Sequence, residues 1–174
     1  MSQKTELPPW LPTRRPNRLP LDAYREPGQF FLTIATEGRK PWFRQAEIAT
    51  HCAQELRSTC LRCGFGLLAY RFMPDHVHIL VETDTANHLI GLVHEFKQRS
   101  GWWFRHRYQA GGLKASPTSS AARPRPWQKS YYDHVLRGEE DTDAVIRYIL
   151  ENPVDAGLVS NRDEFPYSWS ANAP

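Results

Sequence analysis

The stretch from Phe72 to Glu82, Phe-Met-Pro-Asp-His-Val-His-Ile-Leu-Val-Glu, narrows the possible folds more than any other part of the chain. Its apolar, β-branched run predicts a strand. Alternation then puts His76 and His78 on one face while Val77 and Ile79 point the other way into a core. Pro74-Asp75 is a turn signal, and the strand formers before it, 66–73, predict an antiparallel hairpin partner. Two neutral imidazoles on one face can hold a divalent cation if a third oxygen or nitrogen donor comes from elsewhere. A hydrogen-bonded structural pair is the plainer alternative on spacing alone.

Around this hairpin the residue pattern alternates in type. Gln29 to Thr36 is dense in strand formers and is followed by Gly38, which predicts a first strand. Ile48, Cys52, Leu56 and Cys60 or Leu61 recur at helical spacing within 44–63, with Gly64 as a C-cap. A second helix is expected from Thr83-Asp84-Thr85 to about Tyr108, and a fourth strand over 127–136. Glu139-Glu140-Asp141 opens a third helix, with acids suiting the dipole, and Asn152-Pro153 is expected to close it. The order βαββαβ predicts an α+β ferredoxin-like or RRM-like antiparallel sheet with helices on one face, plus an additional C-terminal helix. The expected organisation is an extended, basic, proline-rich arm at 1–28, one domain at 29–159 with a flexible loop at 111–126, and a tail at 160–174 whose Phe165, Tyr167 and Trp169 pack back on the domain.

A chain of 174 residues suits one core. No apolar run is long enough to span a membrane, and the polar N-terminus is unlike a signal peptide, so a soluble cytoplasmic protein is expected. Cys52, Cys60 and Cys63 are odd in number and closely spaced, which argues against a disulfide framework; the lone Cys60-x-x-Cys63 reads as incidental thiols on a helix. Net charge is only +3, but Lys97, Arg99, Arg105 and Arg107 interleave with Trp102, Trp103, Phe104 and Tyr108, and Arg14, Arg15 and Arg18 mark the arm. Such interleaving suits a polyanion with stackable bases, against the plainer reading of a solvated helix face.

Chemistry enters on the third helix. Tyr148 and Asn152 are four residues apart and share a face. With Val145, Ile149 and Ile146 as the buried stripe, Tyr148 is expected to face another surface. A phenol beside a cation has its pKa lowered and can attack phosphorus as a phenolate, while the metal polarises a phosphoryl oxygen. His134, after Asp133, is an alternative third ligand or general acid/base, and its plainer reading is a polar strand residue. Tyr131 and Tyr132 are rival nucleophiles by type. A histidine-triad hydrolase is disfavoured because Leu80 stands where the alternation needs a third histidine.

Met73-Pro74-Asp75-His76-Val77-His78, Phe96-Lys97, the segment 127–137 and Tyr148-Ile149-Leu150-Glu151-Asn152-Pro153-Val154 together resemble the REP-associated tyrosine transposases, relatives of the single-tyrosine HUH transposases. The likeness runs from about Arg14 to Trp169. It implies that His76 and His78 hold Mg2+ or Mn2+ and that Tyr148 cleaves single-stranded DNA through a 5′-phosphotyrosine link, leaving a 3′-hydroxyl. Asn152 stands where the wider family often has Gln as a further metal ligand; it keeps the carbonyl and loses one methylene of reach. The implied partner is an imperfect hairpin from repetitive extragenic palindromes (REP) with single-stranded flanks, bound by a monomer or homodimer. A different class of function also fits the pattern, a non-catalytic RRM-like nucleic-acid binder or repressor.

Overall fold

The computed structural model describes residues 26–84, 89–109, 125–136 and 142–171. The arm arginines Arg14, Arg15 and Arg18, and most of the expected 111–126 loop, lie outside these residues. In chain order the elements are β1 (Gly28–Ala35), α1 (Ala46–Cys63), β2 (Gly66–Met73), β3 (His76–Thr83), α2 (Leu89–Gln109), β4 (Tyr132–Leu136), α3 (Thr142–Asp155) and β5 (Ser168–Ser170), with short 3-10 turns at Glu37–Arg39, Trp42–Arg44 and Arg162–Glu164.

All strand pairs are antiparallel, in the order β4-β1-β3-β2-β5. The histidine strand is therefore central, as the βαββαβ reading expects. Alternation sorts the sheet into two faces. Phe30, Leu32, Ile34, Tyr70, Phe72, Val77, Ile79 and Val81 point to one side, where they pack with Ile48, Cys52 and Leu56 of α1 and Leu92, Val93 and Phe96 of α2. Phe31, Ala69 and Leu80 point to the other, where Val145, Ile146, Tyr148 and Ile149 of α3 cover them. The extra helix thus lies across the sheet from α1 and α2, on the side that carries His76 and His78.

The helix ends follow local chemistry. α1 stops at Gly64, whose φ of 71° places it in the left-handed region that a side chain would strain. α3 corrects the sequence reading, because it runs through Pro153 to Asp155. A proline this close to the end of a helix removes a single backbone donor, and burying its ring helps to offset that loss. The real terminus is a Schellman turn, in which Leu158 N–H reaches the Pro153 carbonyl, Gly157 N–H reaches that of Val154, and Gly157 has φ 67°.

Two further differences concern strands. β4 begins at Tyr132 and not at 127; upstream only Trp127 bridges to Thr36. The reason is Lys97, whose ammonium collects the carbonyls of Gln128, Lys129 and Ser130 at 2.9, 3.3 and 3.0 Å and turns that segment towards α2. Trp127 is drawn in beside it, donating its indole N–H to Ser100 Oγ at 2.9 Å. The tail does pack back, and it also adds β5 to the edge of β2. It is held by Arg71, a buried side chain that donates to the Arg162 and Phe165 carbonyls and lies over the Phe165 ring.

Candidate active site on the histidine face

His76 and His78 project from the start of β3, where Asp75 ends the tight turn from β2. The Nε2 atoms of the two rings lie 3.1 Å apart, with the ring planes nearly perpendicular. Each Nδ1 has its own partner, Asp75 Oδ1 at 2.6 Å for His76 and Thr33 Oγ1 at 3.0 Å for His78. Thr33 is in position because β1 pairs with β3 so that Thr33 stands directly opposite His78. Asp75 is itself approached by Arg39, at 3.5 Å. Burial lowers the pKa of both histidines. At His78 the neighbouring His76 lowers it further, and at His76 the Asp75 carboxylate partly opposes the shift. Both rings are therefore neutral near pH 7, the form in which imidazole binds a metal.

α3 brings Tyr148 onto this group. Its ring meets that of His78 edge-on, centroids 5.8 Å apart, and meets Phe31 at 6.0 Å, while Phe31 stacks on His78 at 5.5 Å. Tyr148 is 7% exposed and belongs to the same packed cluster as Val145, Ile146 and Ile149. The expectation that it stands apart from the buried stripe is thereby corrected. The α3 stripe is wide enough to include position 148 because Phe31 of the sheet beneath it packs against the Tyr148 ring. Burial raises the phenol pKa, while the side-chain amide of Asn152, one turn on, favours the ionised form and Asp155 opposes it. The protein's own groups thus leave the phenol protonated at neutral pH.

The other candidate residues fall in different places. His134 stands opposite Phe31 on β4, on the same face but two strands from β3, and Tyr132 lies one row along, opposite Thr33. Tyr131 is buried in the α1/α2 core beneath Lys97. Among the described residues no three His, Cys, Asp and Glu side chains converge as a ligand set.

The basic residues of α2 sit on the opposite side of the sheet, and most are engaged. Lys97 holds the 128–130 backbone, Arg99 pairs with Glu55 at 2.8 Å and Arg107 with Glu47 at 2.6 Å. Arg105 makes no ion pair among the described residues; it lines a groove of about 460 Å³ with Lys97, Gln98, Arg125, Gln128 and Lys129. Glu37 also lines this groove, and its N–H binds the Pro126 carbonyl, while the adjacent Thr36 N–H binds that of Asp75. The groove therefore opens at the same end of the sheet as His76. Sequence reasoning missed Arg125 and Lys129, which fall at the edge of a loop-like stretch. It also missed Thr33, which only strand register places beside His78.

The family model for IS200-like transposases matches residues 29–152. The chain belongs to the IS200-like transposase family. This family is one of DNA-processing enzymes, and its model runs from β1 into α3. The chain is also 26% identical, over 81% of its length and 78% of the relative's, to a Haemophilus influenzae protein described as a REP-associated tyrosine transposase. A solved structure of a REP-associated tyrosine transposase bound to a REP hairpin has the same fold, with a TM-score of 0.59 at 22% identity, covering 81% of this chain and 75% of that one. Among the described residues of this IS200-like family member, no helix is long and apolar enough to cross a membrane.

Proposed function

We propose that this IS200-like transposase is a metal-dependent single-stranded DNA endonuclease and strand transferase that binds REP-like hairpins and cleaves through a 5′-phosphotyrosine intermediate. The observation that carries the reading is the meeting of Tyr148 with His78, ring to ring at 5.8 Å, on the face where both histidine Nε2 atoms converge. The 3.1 Å between the two Nε2 atoms suits a pair of imidazole donors to one divalent cation. His76 and His78 would hold Mg2+ or Mn2+, with Asn152 as the third protein ligand and His134 as the alternative. When bound, the ion supplies Lewis-acid polarisation of a phosphoryl oxygen.

The chain's own residues account for the rest of the reaction. Tyr148 Oη attacks the scissile phosphorus and gives its proton to water, and the bond to the 3′-oxygen breaks, that oxygen taking a proton from water and departing as a 3′-hydroxyl. Asn152 favours the phenolate that makes the attack. Phe31, packed against both rings, fixes their mutual position and keeps bulk water from that side. Attack of a 3′-hydroxyl on the phosphotyrosine reverses the step and joins strands, so bond energy is conserved and no nucleotide triphosphate is consumed. Arg105, Arg125 and Lys129 suit the backbone phosphates of a hairpin, and the groove they line opens at the same end of the sheet as His76. The hairpin carried by the solved structural neighbour supports this choice of substrate.

The test is a labelled REP-type hairpin with single-stranded flanks, incubated with Mn2+. A covalent protein–DNA adduct is expected, absent in Tyr148→Phe; an adduct that persists in that variant would refute the nucleophile. One observation favours the alternative of a non-catalytic binder, namely that Tyr148 is buried like a core side chain. Salt-sensitive hairpin binding without metal-stimulated cleavage across a range of flanks would decide for that reading.

A further inference from the structure

We infer that Thr33 and Asp75 are positioning residues with different tasks, Asp75 fixing one ring tautomer at His76 and Thr33 accepting either tautomer at His78. The inference rests on the proposed cation site at His76 and His78.

The argument follows from what each partner can donate. A carboxylate only accepts, so the 2.6 Å contact requires His76 Nδ1 to carry the proton and leaves His76 Nε2 as a bare lone pair. The 3.1 Å contact between the Nε2 atoms then needs its hydrogen from His78. That makes His78 Nδ1 bare, and it must accept the hydroxyl proton of Thr33 across 3.0 Å. Every buried ring nitrogen is thereby satisfied in the cation-free protein.

A cation shared by the two rings needs both Nε2 lone pairs. His76 already presents one. His78 presents one only if its single proton resides on Nδ1, which then donates to Thr33 Oγ1. A hydroxyl can reverse from donor to acceptor by rotating about one bond, and half-exposed Thr33 can turn its own hydrogen towards solvent. Each ring holds one proton before and after, so the exchange needs no net charge change in a site where burial opposes an imidazolium. A carboxylate at position 33 would favour the cation-ready tautomer at all times, and an amide would choose by flipping a larger group. Threonine alone among strand-forming residues of this size allows both states in place.

The ring protons are read directly by 15N correlation spectroscopy of histidine-labelled protein, with Mg2+ as the diamagnetic probe. In the cation-free protein His76 is expected to be protonated at Nδ1 and His78 at Nε2; on adding Mg2+, His78 changes to Nδ1 and His76 does not. Mn2+ titration calorimetry gives the second readout. Thr33→Val, which keeps shape and loses the hydroxyl, is expected to weaken Mn2+ binding by about tenfold or more, while Thr33→Ser restores it. Asp75→Ala is expected to weaken it to a similar degree and to let His76 populate both tautomers. A cation-free His78 already protonated at Nδ1, or equal Mn2+ affinity in Thr33→Val, would overturn the role of Thr33 alone. No Mn2+ uptake by the wild-type protein would overturn the cation site and the inference with it.

Discussion

The phenol ring of Tyr148 and the imidazole of His78 meet edge to face within a single chain, 5.8 Å between centroids, although seventy residues separate them in sequence. Under the proposed function, a nucleophile and a histidine pair drawn from one molecule would make a complete site in each copy. Mixing Tyr148→Phe protein with a His76→Ala/His78→Ala variant is therefore expected to restore no cleavage. Each variant alone should lose activity by a factor on the order of 10⁴. Recovery of activity on mixing, in a gel assay of the labelled hairpin, would show that the site is shared between copies.

Lys97 and Arg105 are neighbours on α2 with opposite assignments. Lys97 is spent on three backbone carbonyls, so Lys97→Met is expected to cost about 1 kcal/mol of stability, the loss of hydrogen bonds to partly buried acceptors. Urea denaturation would measure it.

Arg105, Arg125 and Lys129 line open space. Alanine at any one should weaken hairpin binding and flatten the plot of log affinity against log salt by about 0.7–0.9. Arg99→Ala should leave that slope unchanged, because Arg99 is committed to Glu55. Fluorescence anisotropy over a salt series separates the two cases.

Acid should loosen the contact between α1 and α2 through Glu55. Burial resists its ionisation, yet hydrogen bonds from Arg62 and Arg99 prevail and hold the carboxyl below its ordinary value of 4.5. The unfolded chain takes up the proton first. The contribution is full above about pH 4.5 and is lost as pH falls through the lower folded value. Glu55→Gln is expected to be less stable at pH 7 by about 1 kcal/mol and to show a flatter stability profile below pH 4.5. Thermal unfolding across that range would show the difference converging.

The thiols should separate by reactivity. Burial raises Cys52 and pushes Cys60 up to about 12, and both are enclosed in the core. Cys63 is half-exposed and donates to Glu95. Alkylation of the folded protein at pH 8 should label Cys63 first, with the other two reacting only after unfolding. Equal labelling of all three would contradict the packing of α1.

Much of this architecture is legible in the residues because local pattern and global arrangement agree. The boundaries of β2 and the start of β3 follow from β-branched alternation around Pro74-Asp75, and Gly64 marks the end of α1. The misjudged features depend on contacts far apart in sequence. Nothing in 127–131 announces that Lys97 will take its carbonyls, so the stretch looks like strand. Ser168–Ser170 has no apolar alternation, and becomes a strand because β2 offers it an open edge. Pro153 reads as a stop signal, and the helix tolerates it near its end. At the site, type and spacing pick out His76, His78, Tyr148 and Asn152, whereas the sheet register decides that Thr33 joins them and that His134 stands two strands away.

The two faces of the sheet are held with unequal strength. α1 and α2 share the larger aromatic core, while α3 is fastened by a few aliphatic and aromatic contacts around Phe31 and Leu80. Each fully buried aliphatic side chain contributes roughly 1.5–3 kcal/mol, so lifting α3 costs a fraction of what opening the sheet would. The backbone amides of residues 145–152 should accordingly exchange with solvent ahead of those of β1 and β3. The phenol is thus mounted on the part of the molecule most easily raised, and the histidines on the part that moves least. Under the proposed function, raising α3 would admit a DNA strand between Tyr148 and the histidines while the sheet stays in place.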